Sequence, residues 1–528
     1  MRLVTLEENQ RILKRRWIIA GLLILLILLN LAPLALAGDP TGASTGGKTE
    51  YDFFYPGKSI KEAIGHNAVA VNFVWVLLTG FLILFFQSGF ALVETGFCRA
   101  KNAVHTIMMN FVAFAIGGIG FFTVGFAIMF GGIGGFPTLG GGQMLNGLLE
   151  AAKGWGILGY KGFFLASGGT YDVVVYSMFF FQLVFMDTAV TIPTGAMAER
   201  WKFSAFVIFG FMMSMLIYPL FGNWVWGGGW LAALGNNLSL GHGYVDFAGS
   251  SVVHAMGGFV GLAGALVLGA RIGKYNEDGS PNAIPGHHIP MAILGTFILL
   301  FGWFGFNAGS TLAATDLRIS IVVVNTLLAS VAGSLAAMFT MWWRFGKPDA
   351  SMTANGMLAG LVSVTAPAAF VPGWAALIIG AIGGVLVVLS VLFVERVLKV
   401  DDPVGAVSVH GACGIWGVLS VGLFADGTYG VGWNGVGTDA AKGVTGLFYG
   451  DPSQLVAQLI GAATVFVFAL SAGYIMFKII DALVGMRVEP EVELEGLDLP
   501  EIGNLAYPDF SASALDSATD GYVRGEEG

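Results

Sequence analysis

The chain has 528 residues, of which 55% are hydrophobic and 11% are charged, and its mean hydropathy is +0.76. A protein this apolar cannot hide its hydrophobic surface in a water-soluble core, so the composition excludes a soluble globular protein and predicts one embedded in membrane lipid. Its 79 glycines favour a tightly packed helix bundle, because small residues let membrane helices approach closely. The formal net charge of −9 arises partly in the carboxyl-terminal tail, and we expect no nucleic-acid partner.

Residues 1–37 follow the plan of a signal peptide. A basic stretch ends at Arg16, an apolar run starts at Trp17, and small residues end at Ala37. We predict cleavage after Ala37; because the apolar run is longer than a usual signal core, an uncleaved anchor is the alternative. Either way residue 38 emerges outside, so that 38–66 is predicted to be a periplasmic segment.

Eleven apolar stretches are long enough to cross a bilayer as helices, and together they define an all-α transmembrane domain over residues 67–486. They cover residues 71–97, 104–133, 173–197, 203–226, 247–270, 289–310, 319–343, 353–371, 374–398, 404–424 and 454–484.

Basic residues follow the odd-numbered stretches, whereas the even-numbered ones are followed by fewer. Arg99, Arg200, Arg271, Arg344 and Arg487 are examples at the odd-numbered exits. By the positive-inside rule these exits are cytoplasmic, which places the mature amino terminus outside and the carboxyl terminus inside. Together with the signal peptide, this predicts a multi-pass protein of the cytoplasmic (inner) membrane.

Two apolar stretches carry one histidine each in similar surroundings. The segment Ser251-Val-Val-His254-Ala-Met-Gly-Gly258 in the fifth stretch resembles Val407-Ser-Val-His410-Gly-Ala-Cys-Gly414 in the tenth. Five stretches separate the two histidines, and an odd number reverses the chain direction, so we predict an inverted five-plus-five repeat with the pathway between its halves.

There are two other interpretations of His254 and His410: they are buried packing residues, or they are ligands of a metal ion. Two histidines with no neighbouring Cys, Asp or Glu would leave a metal ion under-coordinated, so we predict no metal. An ionisable residue inside a membrane is costly and usually lines a pathway, which favours a pore over simple packing. Neutral imidazoles offer a hydrogen-bond donor and an acceptor to a small polar molecule.

Seven ordered motifs resemble those of the Amt/Mep/Rh family of ammonium transporters, and the match runs from about residue 67 to 508. The motifs are Arg99-Ala-Lys-Asn102, Gly195-Ala-Met-Ala-Glu199-Arg200, Trp226-Gly-Gly-Gly229, Asp246-Phe-Ala-Gly-Ser250, Gly302-Trp-Phe-Gly-Phe-Asn-Ala-Gly-Ser310, Asp401-Asp-Pro403 and Val409-His410-Gly411. At the position of the recruitment site, the tryptophan Trp226 resembles the residue found in the bacterial Amt branch rather than that of Rh proteins.

Carried over position by position, the resemblance implies an outer recruitment site for the ammonium cation at Phe185, Trp226 and Ser310, with the backbone near Ala248 as a further acceptor. Aromatic faces attract cations, and a hydroxyl oxygen accepts a hydrogen bond, so this set is chemically coherent. An interfacial belt residue is the alternative reading of Trp226.

The resemblance also implies that Phe185 and Phe306 form a stacked gate across the pore. The pore lining would then comprise His254, His410, Trp303, Phe181 and Gln182. Asp246 resembles a buried acid at the start of the fifth stretch, where a carboxylate accepts hydrogen bonds from free backbone amides; we assign it a structural and electrostatic role.

Asp187 and Pro193 depart from the family pattern, which has apolar or small residues there. Asp187 follows Phe185 by two residues and therefore points to a different helix face. Pairing within the bundle, pairing between subunits and altered ion handling are all open readings of this acid. A proline inside a helix frees one carbonyl.

The predicted function is transport: ammonium is recruited outside, gives up its proton, and crosses as ammonia past the histidines, with associated proton transfer. The alternatives are an ammonium sensor and an electroneutral Rh-like gas channel. No Walker-type loop, nucleophile–base pair or metal-ligand cluster occurs in the sequence, so we predict neither an enzyme nor a cofactor.

The tail, residues 487–528, resembles the family's cytoplasmic regulatory terminus, which implies a homotrimer and a PII-type signal protein as partner. Where the family commonly has a histidine before a glycine, this chain has Ile502-Gly503. The acidic, Ser/Ala/Gly-rich part 509–528 is predicted to be disordered.

Overall fold

The computed structural model describes residues 60–141, 145–166, 169–436 and 442–508. The predicted signal peptide 1–37, most of the segment 38–66 and the predicted disordered part 509–528 lie outside the described residues.

Ten helices in the described part are long and apolar enough to cross a membrane, and each lies on one of the predicted stretches. With one shorter helix at the eighth stretch, they are numbered in chain order as α1 (Gly65–Phe97), α2 (Ala100–Phe130), α3 (Val173–Met197), α4 (Phe203–Val225), α5 (Ser250–Leu268), α6 (Ile289–Gly309), α7 (Ile319–Phe345), α8 (Ala350–Thr365), α9 (Gly373–Arg396), α10 (Val407–Phe424) and α11 (Pro452–Val484).

Helix α8 is the shorter one, with 16 residues, and it ends six residues before the predicted boundary at 371. Pro367 follows shortly after its last residue, Thr365. Ala366 keeps helical backbone angles, but its amide donates to the Ser250 hydroxyl at 2.7 Å, and Pro367 has no amide hydrogen to continue the helical hydrogen bonds.

Several helices contain irregular turns. Helical backbone already begins at Ile60 and is interrupted at Phe85 within α1. Wider π-helical turns lie in α2, α4, α5 and α10, at Phe121–Gly125, Met213–Ile217, Ser250–Ala255 and Val407–Ala412. Such turns inside α-helices are often found at functional sites, and those of α5 and α10 hold the two histidines singled out by the sequence.

The long connection between α2 and α3 forms a hairpin that the sequence, read as a loop, did not predict. Strands β1 (Leu148–Ala152) and β2 (Trp155–Gly159) pair antiparallel. Short helices elsewhere are Leu234–Leu238, Pro490–Glu495 and the π-turn Asp498–Ile502. Single 3-10 turns occur at Ala100–Asn102, Pro137–Leu139, Phe163–Leu165, Trp433–Gly435 and Leu447–Tyr449.

One end of the bundle, called the basic end here, is held by buried ion pairs. Arg271 after α5 contacts Glu199 after α3 at 3.2 Å and Asp401 before α10 at 2.8 Å, and Arg99 after α1 also pairs with Glu199. Burial acts to raise the pKa of Asp401, but hydrogen bonds from Arg271 and the charges of Arg271 and Arg200 outweigh it and hold that pKa well below its usual range.

The tail folds back onto the basic end. Glu493 accepts hydrogen bonds from the Arg487 guanidinium at 2.8 Å and from the Ile272 amide at 2.7 Å. Asp498 accepts from the His105 amide at 2.8 Å, at the start of α2. The described part of the tail is therefore docked on the bundle.

The centre of the bundle is formed by α5 and α10, which are largely buried. Outer helices such as α7 expose large apolar side chains; Phe339, for example, is 56% exposed. In a membrane these faces would meet lipid or another protein subunit.

Candidate functional site

A cavity of about 570 Å³ opens at the end of the bundle opposite the basic end. Its lining includes Phe185, Trp226 and Ser310, which the resemblance assigned to the recruitment site. Phe181 and Gln182, which the resemblance assigned to the pore lining, also line this cavity. Asp246 also lines it, together with residues of the β1–β2 hairpin. The structure thus brings together residues from α2, α3, α4 and several connections, including the one that follows α6.

Two polar groups in this cavity have defined partners. The indole Nε1 of Trp226 donates a hydrogen bond to the backbone carbonyl of Asp246 at 2.7 Å, which orients the ring. The hydroxyl of Ser310 donates to the Phe306 carbonyl at 2.8 Å, so the lone pairs of its oxygen stay free to accept. Ala248 is fully buried, while the neighbouring Asp246 and Phe247 line the cavity.

The inner end of the cavity is closed by two stacked phenylalanine rings. The ring centroids of Phe185 and Phe306 are 4.1 Å apart, with 30° between the planes, and both side chains are buried. Trp226 meets Phe185 edge-on at 5.9 Å. Phe86 of α1 stacks on the other side of Phe306 at 5.4 Å, a contact that the sequence did not indicate.

Beyond these rings lies the histidine pair. The Nδ1 atoms of His254 and His410 are 3.2 Å apart, and the two rings are nearly parallel, with centroids 5.3 Å apart. His254 also stacks on Trp303, with centroids 4.9 Å apart, and its ring centroid lies 5.4 Å from that of Phe306. The Phe185–Phe306 stack and the histidine pair are therefore in direct succession.

A contact between two Nδ1 atoms requires one of them to carry a proton and the other to accept it. Two unprotonated nitrogens would repel each other, and two protonated ones would clash. The pair then holds one shared proton at this contact. The Nε2 atom of His254 is buried without a hydrogen-bond partner, which leaves it available to a small polar molecule.

Each histidine helix begins at a carboxylate that accepts hydrogen bonds from its first amides. Asp246 accepts from the amides of residues 249–252 at 2.7–3.0 Å, and Asp402 accepts from those of residues 405–407 at 2.8–3.1 Å. A carboxylate at a helix amino terminus satisfies otherwise free donors and interacts favourably with the helix dipole. Asp246 therefore has the capping geometry that the sequence analysis expected.

Glycine fixes the distance between the two histidine helices. A Cβ atom on Gly258 of α5 would lie 2.3 Å from the amide nitrogen of Gly411 in α10. Because real Cβ atoms do not approach backbone so closely, only glycine fits here. The two backbones can then come near enough for His254 and His410 to touch.

Asp187 lies on the face of α3 that turns towards α1, away from the pore ring of Phe185. Thr191, one turn further on, accepts a hydrogen bond from Gln87 of α1 at 2.7 Å. The side chain of Asp187 is 3% exposed, and its Oδ1 atom has no hydrogen-bond partner. Pro193 lies inside α3 without breaking it, and the Ala189 carbonyl, left without its usual partner, faces Gly257 of α5.

No group of three or more His, Cys, Asp or Glu side chains that could hold a metal ion occurs in the described part of the chain. Both cysteines, Cys98 and Cys413, are buried and free.

The helix bundle and the closed, aromatic and histidine-lined path define a multi-pass membrane transport protein. The sequence profile of the Ammonium Transporter Family matches residues 74–507, so the chain belongs to this family. It is 45% identical over 493 residues to ammonium transporter Amt2 of Archaeoglobus fulgidus, covering 93% of this chain and 96% of that protein. It is 35% identical to an ammonium transporter of Aquifex aeolicus, over 83% of this chain and 93% of the relative.

Solved structures of Amt and Mep2 proteins have a similar fold. A "Sensor Amt Protein" superimposes with a TM-score of 0.71 at 35% identity, covering 83% of this chain and 99% of that one. Mep2 of Candida albicans superimposes with a TM-score of 0.69 at 26% identity, covering 89% and 95% of the two chains.

Proposed function

We propose that the protein moves ammonium across the cytoplasmic membrane by binding the cation in the 570 Å³ cavity and passing neutral ammonia along the histidine pair. The observation that carries this proposal is the succession of cavity, Phe185–Phe306 stack and His254–His410 contact along one line. The cavity would face the periplasm and the basic end the cytoplasm, since positive residues favour the cytoplasmic side.

The cavity has the chemistry of a cation site. The rings of Phe185 and Trp226 offer π-faces, and the free lone pairs of Ser310 accept a hydrogen bond from the ion. Asp246 adds a carboxylate at the cavity wall, although its hydrogen bonds to backbone amides give it a structural role as well. The backbone at Ala248 is proposed as a further acceptor.

The stacked phenylalanines explain why ammonia rather than ammonium crosses. A bare cation placed between buried aromatic side chains loses its hydration without gaining enough hydrogen bonds, whereas a neutral amine needs only one or two partners. His254 and His410, with Trp303, Phe181 and Gln182 in the surrounding wall, supply such partners. Potassium has no proton to release and would be excluded.

The wider arrangement follows from the same proposal. We propose eleven spanning helices, with α8 as the short one, arranged as an inverted five-plus-five repeat. The matching starts of α5 and α10 support it, since both combine an aspartate cap, a π-turn and a histidine. We further propose a homotrimer and a PII-type protein that binds the docked tail.

Transport is tested by current recordings from the purified protein in a bilayer sensor, first with ammonium and then with potassium. We expect a current with ammonium and none with potassium. A folded protein that binds ammonium but carries no current would instead favour a sensor, the second candidate, which the similarity to the "Sensor Amt Protein" suggests. Ammonia flux without current would favour an electroneutral channel.

A further inference from the structure

Glu94 of α1 is an ionisable side chain deep in the bundle that the proposed pathway has not used. It is 2% exposed. Together with His410, Phe90 and Val404 it lines a second cavity, of about 20 Å³. His254 does not line this cavity, so the space lies on the side of His410 that is turned away from the first histidine.

The cavity suits one very small polar molecule. About 10–15 Å³ of such volume is enough to hold a single water, and ammonia has the same number of heavy atoms. The wall provides three polar side chains that can hydrogen-bond the guest, the imidazole of His410, the carboxyl of Glu94 and the amide of Asn355. Phe90 and Val404 make the rest of the described wall partly apolar.

The partners of Glu94 allow it to exist with or without a proton. Its Oε2 atom lies 2.8 Å from the Nδ2 donor of Asn110 and 2.7 Å from the hydroxyl of Thr194. The Thr194 hydroxyl also lies 2.6 Å from the Thr191 carbonyl and has only one hydrogen to donate.

Two hydrogen-bond patterns therefore satisfy the same positions. When Glu94 is a carboxylate, the Thr194 hydroxyl donates to it. When Glu94 is a carboxylic acid, Thr194 donates to the Thr191 carbonyl and accepts from Glu94. The site can take up or release a proton at the cost of one hydroxyl rotation.

Gly195 has no side chain, which leaves room for the carboxyl group of Glu94. A Cβ atom at this position would lie 3.0 Å from Oε1 of Glu94 and 2.5 Å from a methyl group of Val404. A larger residue would thus push apart the two groups that bound the small cavity on this side.

We propose that Glu94 and His410 form an inner site for one molecule of ammonia or ammonium, and that Glu94 supplies a proton to ammonia there. Ammonia arriving past His410 would take the proton from the Glu94 carboxylic acid, so that its nitrogen lone pair forms the new N–H bond while the O–H bond breaks. The products are ammonium and the Glu94 carboxylate, which then takes a proton from hydronium at the basic end and leaves water. The inference rests on the proposed transport function.

The test compares ammonium currents of the wild type, Glu94→Gln and Glu395→Gln in proteoliposomes as pH rises equally on both sides. Glutamine keeps the size of Glu94 and an oxygen that accepts from Asn110, but it has no carboxyl proton to release. Because positioned acid–base groups typically contribute a factor of about 100 or more, we expect Glu94→Gln to lower the current roughly 100-fold and to abolish its decline with rising pH.

Glu395→Gln is the matched control. Glu395 pairs with Lys274 at 2.5 Å at the end of α9 and does not line the cavity beside His410, so its current and pH profile should equal those of the wild type. A Glu94→Gln protein with the wild-type current and pH profile would overturn the inner site alone. A wild type with neither ammonium current nor ammonia flux would overturn the transport function and the inner site with it.

If Glu94→Gln fails to fold, Thr194→Val tests the proposal in its place. Valine keeps the volume of Thr194 but removes the hydroxyl that exchanges between Glu94 and the Thr191 carbonyl. A reduced current with an altered pH profile supports proton release by Glu94, and an unchanged profile contradicts it.

Discussion

The Nδ1 atoms of His254 and His410 approach to 3.2 Å although the residues come from helices that start at opposite ends of the bundle. Asp246, at the start of α5, lines the large cavity, whereas Asp401, at the start of α10, pairs with Arg271 at the basic end. The two π-turns bring the rings together at one point of the path. The shared proton at this contact ties the hydrogen-bonding state of each histidine to that of the other.

Replacing His254 with leucine should abolish most of the ammonium current. Leucine is apolar and of similar size, so the path stays narrow and dry while it loses a hydrogen-bonding group for ammonia. Current recordings with ammonium and potassium measure the effect, and the potassium current should remain absent. His242→Leu is the control, since His242 lies in a connection outside the path; equal losses in both variants would contradict a specific role of His254.

Trp226→Leu should weaken binding of the cation in the large cavity. The loss of one cation–π contact, about 1–2 kcal/mol when desolvated, corresponds to a roughly 5- to 30-fold higher ammonium concentration at half-maximal current. A titration of the current measures it. Trp224, whose indole donates to the Ile157 carbonyl, does not line the cavity, so Trp224→Leu should leave this concentration unchanged.

Gly258→Ala should separate α5 from α10 and thereby the two histidines. Its new methyl group would meet Gly411 at 2.3 Å, and overpacking of this kind costs about 1–3 kcal/mol. The melting temperature and the ammonium current of this variant should both decrease. A methyl group added at Gly118 of α2 would have its nearest neighbour, a methyl of Leu183, at 3.8 Å, so Gly118→Ala should be tolerated. Equal behaviour of the two variants would refute the argument.

The helix positions were predictable because a spanning helix needs a long apolar run, and the chain breaks these runs clearly. Helix α8 ends six residues before its predicted boundary at 371, since hydropathy does not register that Pro367 has no amide hydrogen to continue the helix. Helices α5 and α10 are also shorter than their predicted stretches. The hairpin β1–β2 was missed because its sequence is rich in glycine and lacks strict alternation of apolar and polar residues.

Within the site, Phe185, Phe306 and the histidines were predicted from motifs that lie far apart in the sequence. Phe86 and Phe90 were not, because in uniformly apolar helices with many phenylalanines no pattern tells a pore-facing ring from a packing one. Two further signals were present. Asp402 precedes His410 by eight residues, just as Asp246 precedes His254, and Glu94 is an acid within an apolar stretch.

Asp187 gives a test of a residue that departs from the family pattern. Its Oδ1 atom is buried without a partner, and such a group costs about 1–3 kcal/mol. Asp187→Leu should therefore raise the free energy of unfolding by a similar amount in detergent. Asn325→Leu is the contrasting variant, because the buried Asn325 amide donates hydrogen bonds to the carbonyls of Ala368 and Val371, and its loss should destabilise. A destabilised Asp187→Leu would mean that the carboxyl binds a partner in the assembled protein.

Asp401→Asn should destabilise the basic end in a pH-dependent way. The variant leaves the buried Arg271 guanidinium with Glu199 as its one remaining carboxylate partner, and breaking a buried ion pair costs at most about 3–5 kcal/mol. Burial opposes ionisation of Asp401, but Arg271 and Arg200 keep its folded pKa below that of an unfolded aspartate. A lowered folded pKa contributes stability that is complete above the unfolded pKa of about 3.9 and is lost as pH falls towards the folded pKa.

The difference in melting temperature between wild type and Asp401→Asn should therefore be constant near neutral pH and shrink as the solution becomes strongly acidic. Asp278→Asn serves as the control, because Asp278 lies in the exposed connection after α5 and its removal should shift the melting temperature little. A difference that grows on acidification would reverse the sign of the argument and show that Asp401 is protonated in the folded protein.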